Sequence, residues 1–163
     1  MKKKYLALAG RIRGELSELE KVVERVLEGW KRAKQTGDDF YLDSVALNLH
    51  SIYTGLERVF ELIANTIDQS RPEGQNWHQE LLRQMTVEIP LVRPQVISVE
   101  TRNNLDDYRG FRHVVRNVYT FNLNSGKIKH LVNNLPKVFS QVKNEINVFI
   151  QFIEARKGEN KEI

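Results

Sequence analysis

Residues 5–30 read YLALAGRIRGELSELEKVVERVLEGW, and the spacing of the apolar side chains in this stretch decides the fold class. Tyr5, Ala9, Ile12, Leu16, Leu19, Val23, Val26 and Trp30 advance by alternating fours and threes. On a helix that turns roughly 100° per residue, such steps keep all eight side chains on one side. That stripe is the seam of a helix packed against a core. It is predicted to end near Gly37, where Asp38 and Asp39 are placed to cap a second helix. The second helix repeats the spacing at Leu42, Val45, Leu49, Ile52, Leu56, Val59 and Ile63, so the two are expected to form an antiparallel hairpin.

Toward the N-terminus, Met1 to Gly10 has a basic and then an apolar segment in the manner of a secretory leader. The apolar run is short, however, and Arg11, Arg13 and Glu15 interrupt it while the helical spacing continues, so a structural helix is expected instead. No other stretch has the length of a membrane span. Toward the C-terminus, residues 70–74 form a turn and a short helix runs through Trp77, Leu81, Leu82 and Met85. Pro90 and Pro94 stand too close together for regular helix, which predicts an ordered loop over residues 89–97 with Ser98 capping the helix that follows. That helix is expected to fade at about Asn122. A short helical turn is expected over residues 127–133, with Pro136 in the first turn of a last amphipathic helix lined by Leu135, Val138, Phe139, Val142, Ile146, Phe149 and Ile153.

The 163-residue chain is long enough for one core, and these elements predict an all-α fold. The architecture is a single-domain antiparallel bundle of about five helices over residues 1–157, with a flexible tail over residues 158–163. The absence of cysteine excludes a disulfide framework, a thiolate metal site and a thiol nucleophile, and fits a reducing, cytoplasmic location. The net charge of +4 points mildly to a polyanionic partner.

The distribution of that charge is more informative. In the helix of residues 98–122, Phe111, Val114, Val115, Val118 and Phe121 fall on one side. Arg109, Arg112, His113, Arg116 and Asn117 fall on the other, with Asp106 the one acid among them. Like charges three and four residues apart repel by a few tenths of a kcal/mol per pair, about 0.2–0.5. Either acids from a neighbouring helix, such as Glu57 or Glu61, offset this cost, or the face is simply solvated, or it meets phosphate, whose oxygens match the planar guanidinium fork.

The segment Tyr108-Arg109-Gly110-Phe111-Arg112-His113-Val114-Val115-Arg116-Asn117-Val118-Tyr119 resembles the motif of the HEPN superfamily, in particular of HepT-like ribonuclease toxins. That motif has an arginine, a polar residue after it, a histidine further along, and often a tyrosine two residues beyond the histidine. Arg112, His113 and Tyr119 match the arginine, the polar follower and the tyrosine, whereas Asn117 stands where the histidine belongs. Tyr53 to Phe60 and Trp77-His78 resemble the family less specifically.

The resemblance implies a HEPN-like bundle that cleaves RNA, tRNA or mRNA, at a homodimer cleft without metal or other cofactor. A histidine would move the proton of a ribose 2′-hydroxyl and arginine would stabilise charge on phosphate. Arg112, His113 and Asn117 would then form the catalytic group, Arg109 and Arg116 would bind RNA, and Glu57 would hold Arg109 or Arg112 in place. The implied partner is a nucleotidyltransferase antitoxin that transfers AMP to Tyr119. Because asparagine cannot act as a base, two alternatives stand: His113 takes over the proton transfer, or the domain is a catalytically inactive module that binds RNA, a nucleotide or a partner protein.

Other candidates are set aside. His50, His78 and His130 are expected to be structural or surface residues, since no zinc spacing joins them. Gly10, Gly14 and Gly29 are read as close-packing positions in the first helix.

Overall fold

The computed structural model describes residues 2–119 and 122–156. Among them the chain forms five α-helices and no strand: α1 (Lys2–Thr36), α2 (Phe40–Ile63), α3 (Trp77–Gln84), α4 (Val99–Asn117) and α5 (Ser125–Ala155). The all-α bundle expected from the apolar spacing is therefore present. The tail at residues 158–163 lies outside the described residues, as does Phe121.

Helix α1 stops where Gly37 takes a φ of +68°, a backbone conformation glycine adopts without steric cost. The start of α2 is capped by Asp38, whose Oδ1 accepts from the Phe40 N–H at 3.0 Å, while Asp39 makes no side-chain cap. The hairpin is antiparallel: Glu15 pairs with Arg58, Leu19 packs on Gly55, and Gly29 faces Val45. Close approach of the two backbones occurs at Gly55 and Gly29, where an added Cβ would lie 2.5 Å from Leu19 Cδ2 and 3.2 Å from Val45 Cγ2. Gly10 and Gly14 would meet nothing within 4 Å, so the close-packing reading fails for these two exposed glycines.

Helix α2 contacts all four other helices and forms the centre of the bundle. Its buried side chains Val45, Leu49, Ile52, Leu56, Val59, Phe60 and Ile63 join those of α1 and α5 in one core. Past Ile63 the helix widens into a π turn (Ala64–Asp68) that ends at Gln69 in the left-handed region, φ 53°, with Ser70 N–H bonded to the Ala64 carbonyl at 3.2 Å.

The proline loop is ordered, as expected, and the agent is Arg93. Its Nε and Nη2 donate to Asp68 at 2.5 and 2.7 Å, and its remaining donors reach the carbonyls of Val87, Pro94 and Gln84. Both side chains are fully buried.

Helix α4 begins as expected, with Ser98 Oγ accepting from Thr101 N–H at 3.1 Å. Glu145 of α5 accepts from Ser98 N–H and from the Thr101 hydroxyl, which places a carboxylate at the positive end of the α4 dipole. Farther along, the buried Tyr108 hydroxyl donates to the Leu131 carbonyl at 2.7 Å. Two expectations need correction. Helix α4 ends at Asn117 rather than near Asn122: Asn117 Nδ2 donates to the His113 carbonyl at 2.7 Å, competing for the helix's own acceptor, and Val118 turns extended with φ −130° and ψ 156°. Val118 thus leaves the apolar face on which the sequence put it.

The second correction concerns α5, which is continuous from Ser125 through Pro136, so residues 127–133 are not a separate turn. A proline inside a helix costs about 3 kcal/mol. Burial of Ile128, Leu131, Val132 and Leu135 ahead of it, at about 1.5–3 kcal/mol per large aliphatic side chain, outweighs that cost. Pro136 itself lies on the exposed side.

Candidate functional site

Burying Leu105, Tyr108 and Phe111 of α4 turns the opposite side of that helix toward the start of α3. Between the two helices lies a groove of about 510 Å³ lined by Arg109, Arg112, His113, Arg116 and Asn117 from α4, His78 and Gln79 from α3, and Gln75 and Asn76 just before it. The five α4 residues named from the sequence therefore share one concave surface. A hollow of similar size beside Leu91 and Phe152 gathers no comparable set of groups: of its two arginines, Arg93 is committed to Asp68, and Arg156 donates to the Leu91 carbonyl and lies over the Phe152 ring.

Each cation in the groove is held differently. Arg109 Nε donates to Asp106 Oδ1 at 2.7 Å, one turn back on the same helix. Arg112 Nη1 approaches Glu57 Oε1 of α2 at 3.4 Å. Arg116 has no ion pair among the described residues and is exposed. Of the two acids the sequence offers, Glu57 therefore meets Arg112, while Glu61 pairs with Arg71. Arg112 is still far from satisfied: its Nε is buried and has no hydrogen-bond partner among the described residues. A buried donor left in that state costs about 1–3 kcal/mol.

Glu57 is itself buried, and its second oxygen meets His78 Nδ1 at 2.6 Å. A carboxylate only accepts, so the contact requires a proton on Nδ1. Arg112 Nη1, 3.3 Å from that nitrogen, is then a close neighbour rather than a donor to it. The His78 ring stacks on Trp77 with ring centroids 3.7 Å apart, and the Arg71 guanidinium lies over Trp77 at 5.0 Å. The Glu57–Arg112 pair of this constellation agrees with the sequence reading, whereas His78, expected there as a structural or surface residue, is an addition the structure makes. The sequence signal for His78 is the Trp77-His78 pair at the head of a short helix.

His113 is exposed at the rim of the groove, with Asn117 Nδ2 bonded to its carbonyl. The His50 imidazole, on α2, is held below its usual value of 6.5 first by burial, then by the positive charge of Arg112 and Arg116. The arginine charges of the groove thus reach His50, second to its burial. Tyr119 stands past the end of α4 and is 75% exposed. Among the described residues no three His, Asp or Glu side chains gather as a metal site would require, and no helix is long and apolar enough to cross a membrane.

The arrangement can bind an anion through three guanidinium groups and offers two imidazoles for proton transfer. Residues 44–153 match a family model described as HepT-like protein, a span that runs from early α2 nearly to the end of α5 and includes every residue of the groove. Comparison with curated proteins and with solved structures gives no match.

Proposed function

The chain belongs to the HepT-like family, and from that premise we propose that it is an endoribonuclease that cuts RNA in the α3–α4 groove without a metal ion. The ribose 2′-oxygen loses its proton and attacks the adjacent phosphorus. The bond from phosphorus to the 5′-oxygen breaks, and that oxygen takes up a proton, leaving a 2′,3′-cyclic phosphate and a 5′-hydroxyl. Arg112 holds the phosphate and stabilises its developing charge, Arg109 and Arg116 guide the flanking backbone, and His113 moves a proton in place of the histidine that Asn117 replaces. One observation carries this reading: Arg112, held by buried Glu57 through a single contact of 3.4 Å, lines an open groove together with Arg109 and Arg116.

The same reading includes two copies that bring their α4 helices together around a shared cleft, action in the cytoplasm, and silencing by a nucleotidyltransferase antitoxin that adenylylates Tyr119. The exposure of Tyr119 suits that last role. Incubation of the purified chain with tRNA and mRNA in the presence of a chelator tests the nuclease. Fragments ending in cyclic phosphate are expected, together with growth arrest on expression. Intact RNA and unimpaired growth would overturn the proposal.

A second reading has a specific observation in its favour. The Asn117 side chain is spent on the His113 carbonyl, so the position that carries the motif histidine performs no proton chemistry. In that case the groove only binds RNA, and binding without turnover should weaken steeply with salt as phosphate counterions return.

A further inference from the structure

Cleavage of the kind proposed above needs two proton movements, one away from the 2′-oxygen and one onto the 5′-oxygen, and His113 alone accounts for one of them. We infer that His78 is the second proton-transfer residue, a general base oriented by Glu57, and that the missing motif histidine has been replaced from another helix. The inference rests on the nuclease reading and deepens it.

The geometry supplies three reasons. First, Glu57 Oε2 lies 2.6 Å from His78 Nδ1, which puts the ring proton on that nitrogen and leaves Nε2 with its lone pair. Second, His78 lines the groove, and among the described residues its polar contacts are made by Nδ1, so Nε2 at the opposite edge of the ring is the nitrogen left for a ligand. Third, the ring is held from both sides, by the Trp77 stack and by a carboxylate buried in the α2 core. A histidine serving only to fill space needs neither a buried carboxylate nor a free edge in a cationic groove. The same combination, a buried carboxylate fixing the tautomer of an imidazole whose other nitrogen faces the substrate, is how a general base is prepared.

Glu57 thereby organises two groups at once. Its Oε1 faces Arg112, which would hold the phosphate, and its Oε2 holds His78, which would take the 2′-proton. The charged groups facing His78 are Glu57 from α2 and Arg112 from α4, with Arg109, Arg116 and His113 farther along the groove. In the completed step Nε2 accepts the 2′-hydroxyl proton, the oxygen–phosphorus bond forms, and the bond to the 5′-oxygen breaks with a proton delivered from His113. His78 then returns its proton to solvent and His113 takes one up, which resets both. Glu57 acts through His78 and Arg112 and is a positioning residue.

The test is His78→Asn, whose amide can keep a donor toward Glu57 while removing the groove-facing nitrogen. Cleavage of RNA should fall on the order of 10²–10⁴-fold. Affinity for a 2′-deoxy analogue should stay within about threefold of wild type, below the 10²-fold scale of catalytic loss. A second substrate separates base from acid: a uridine 3′-phosphate ester with a 4-nitrophenyl leaving group needs no protonation on departure. On it His78→Asn should remain defective while His113→Ala recovers. Glu57→Gln, which retains the side-chain volume, should show a smaller loss that does not recover on the activated ester, and it serves if His78→Asn fails to fold. If wild type cleaves and His78→Asn cleaves within about threefold of it, far short of the expected 10²-fold, this inference fails and the nuclease reading stands. If wild type itself leaves both substrates intact, both fall together.

Discussion

Among the described residues two arginines pair with buried carboxylates, and their surroundings differ sharply. Arg93 meets Asp68 through two short contacts, gives its other donors to three backbone carbonyls, and is fully buried, while Gln84 completes the shell around Asp68. Arg112 meets Glu57 through one contact of 3.4 Å, shares that carboxylate with His78, and leaves its Nε unpartnered at the wall of a groove. A buried charge is tolerable only when its hydrogen-bonding capacity is filled. In Arg93 it is filled from within, so the pair pins the proline loop to the end of α2 and has nothing left for a ligand. In Arg112 it is not, and its guanidinium lines the groove with only that one carboxylate contact, which is the basis for proposing that it meets phosphate.

The comparison is broken most directly at Arg93. Arg93→Ala leaves Asp68 as an uncompensated buried charge and should destabilise the fold by about 3–5 kcal/mol, measured by denaturant titration. A loss below about 1 kcal/mol, the range of an exposed ion pair, would mean the loop is held by something else.

Arg112→Ala sharpens the contrast. Glu57 keeps His78, and an unpartnered donor is removed along with the charge, so the stability change should stay near or below about 1 kcal/mol. RNA cleavage should nevertheless fall about 10²–10³-fold, the usual loss when a donor to the developing charge is deleted. If Arg112→Ala behaved like Arg93→Ala in denaturant, the two pairs would be of one kind and the functional reading of the groove would be lost.

The smallest effect is expected at His50, whose protonation is opposed in the folded state by burial and by the charges of Arg112 and Arg116. Because its folded value is depressed below 6.5, the unfolded chain binds more protons in that window. Its contribution to stability is full above pH 6.5 and is lost as pH falls toward the depressed value. His50→Gln should remove that part of the acid sensitivity. Occupying the groove with an anion should move the His50 titration, followed by NMR, back upward. A titration indifferent to ligand would show that the arginine field does not reach it.

The site was legible in part for a reason visible in single residues. Arg109, Arg112, His113, Arg116 and Asn117 lie on one helix, so their common face follows from the rotation per residue alone. His78 could not be added in this way, because its role depends on Glu57, 21 positions earlier, and on Arg112, 34 positions later. The end of α4 was misplaced for a similar reason: the choice between helix and extended chain at Val118 turns on the Asn117 side chain reaching its own backbone, which apolar periodicity does not register.

The sequence by itself determined the helices, since the spacing of apolar residues acts over one or two turns and Ser98 caps its helix through a neighbour three residues away. It also determined that the arginines of α4 would face together. Tertiary structure alone decided what those arginines became. Packing Tyr108 and Phe111 inward aims the opposite face at α3, the core of α2 brings a carboxylate beneath Arg112, and burial of four aliphatic side chains carries α5 through a proline. Each of these outcomes is a balance of desolvation and contact between distant segments, and no local pattern encodes the winner.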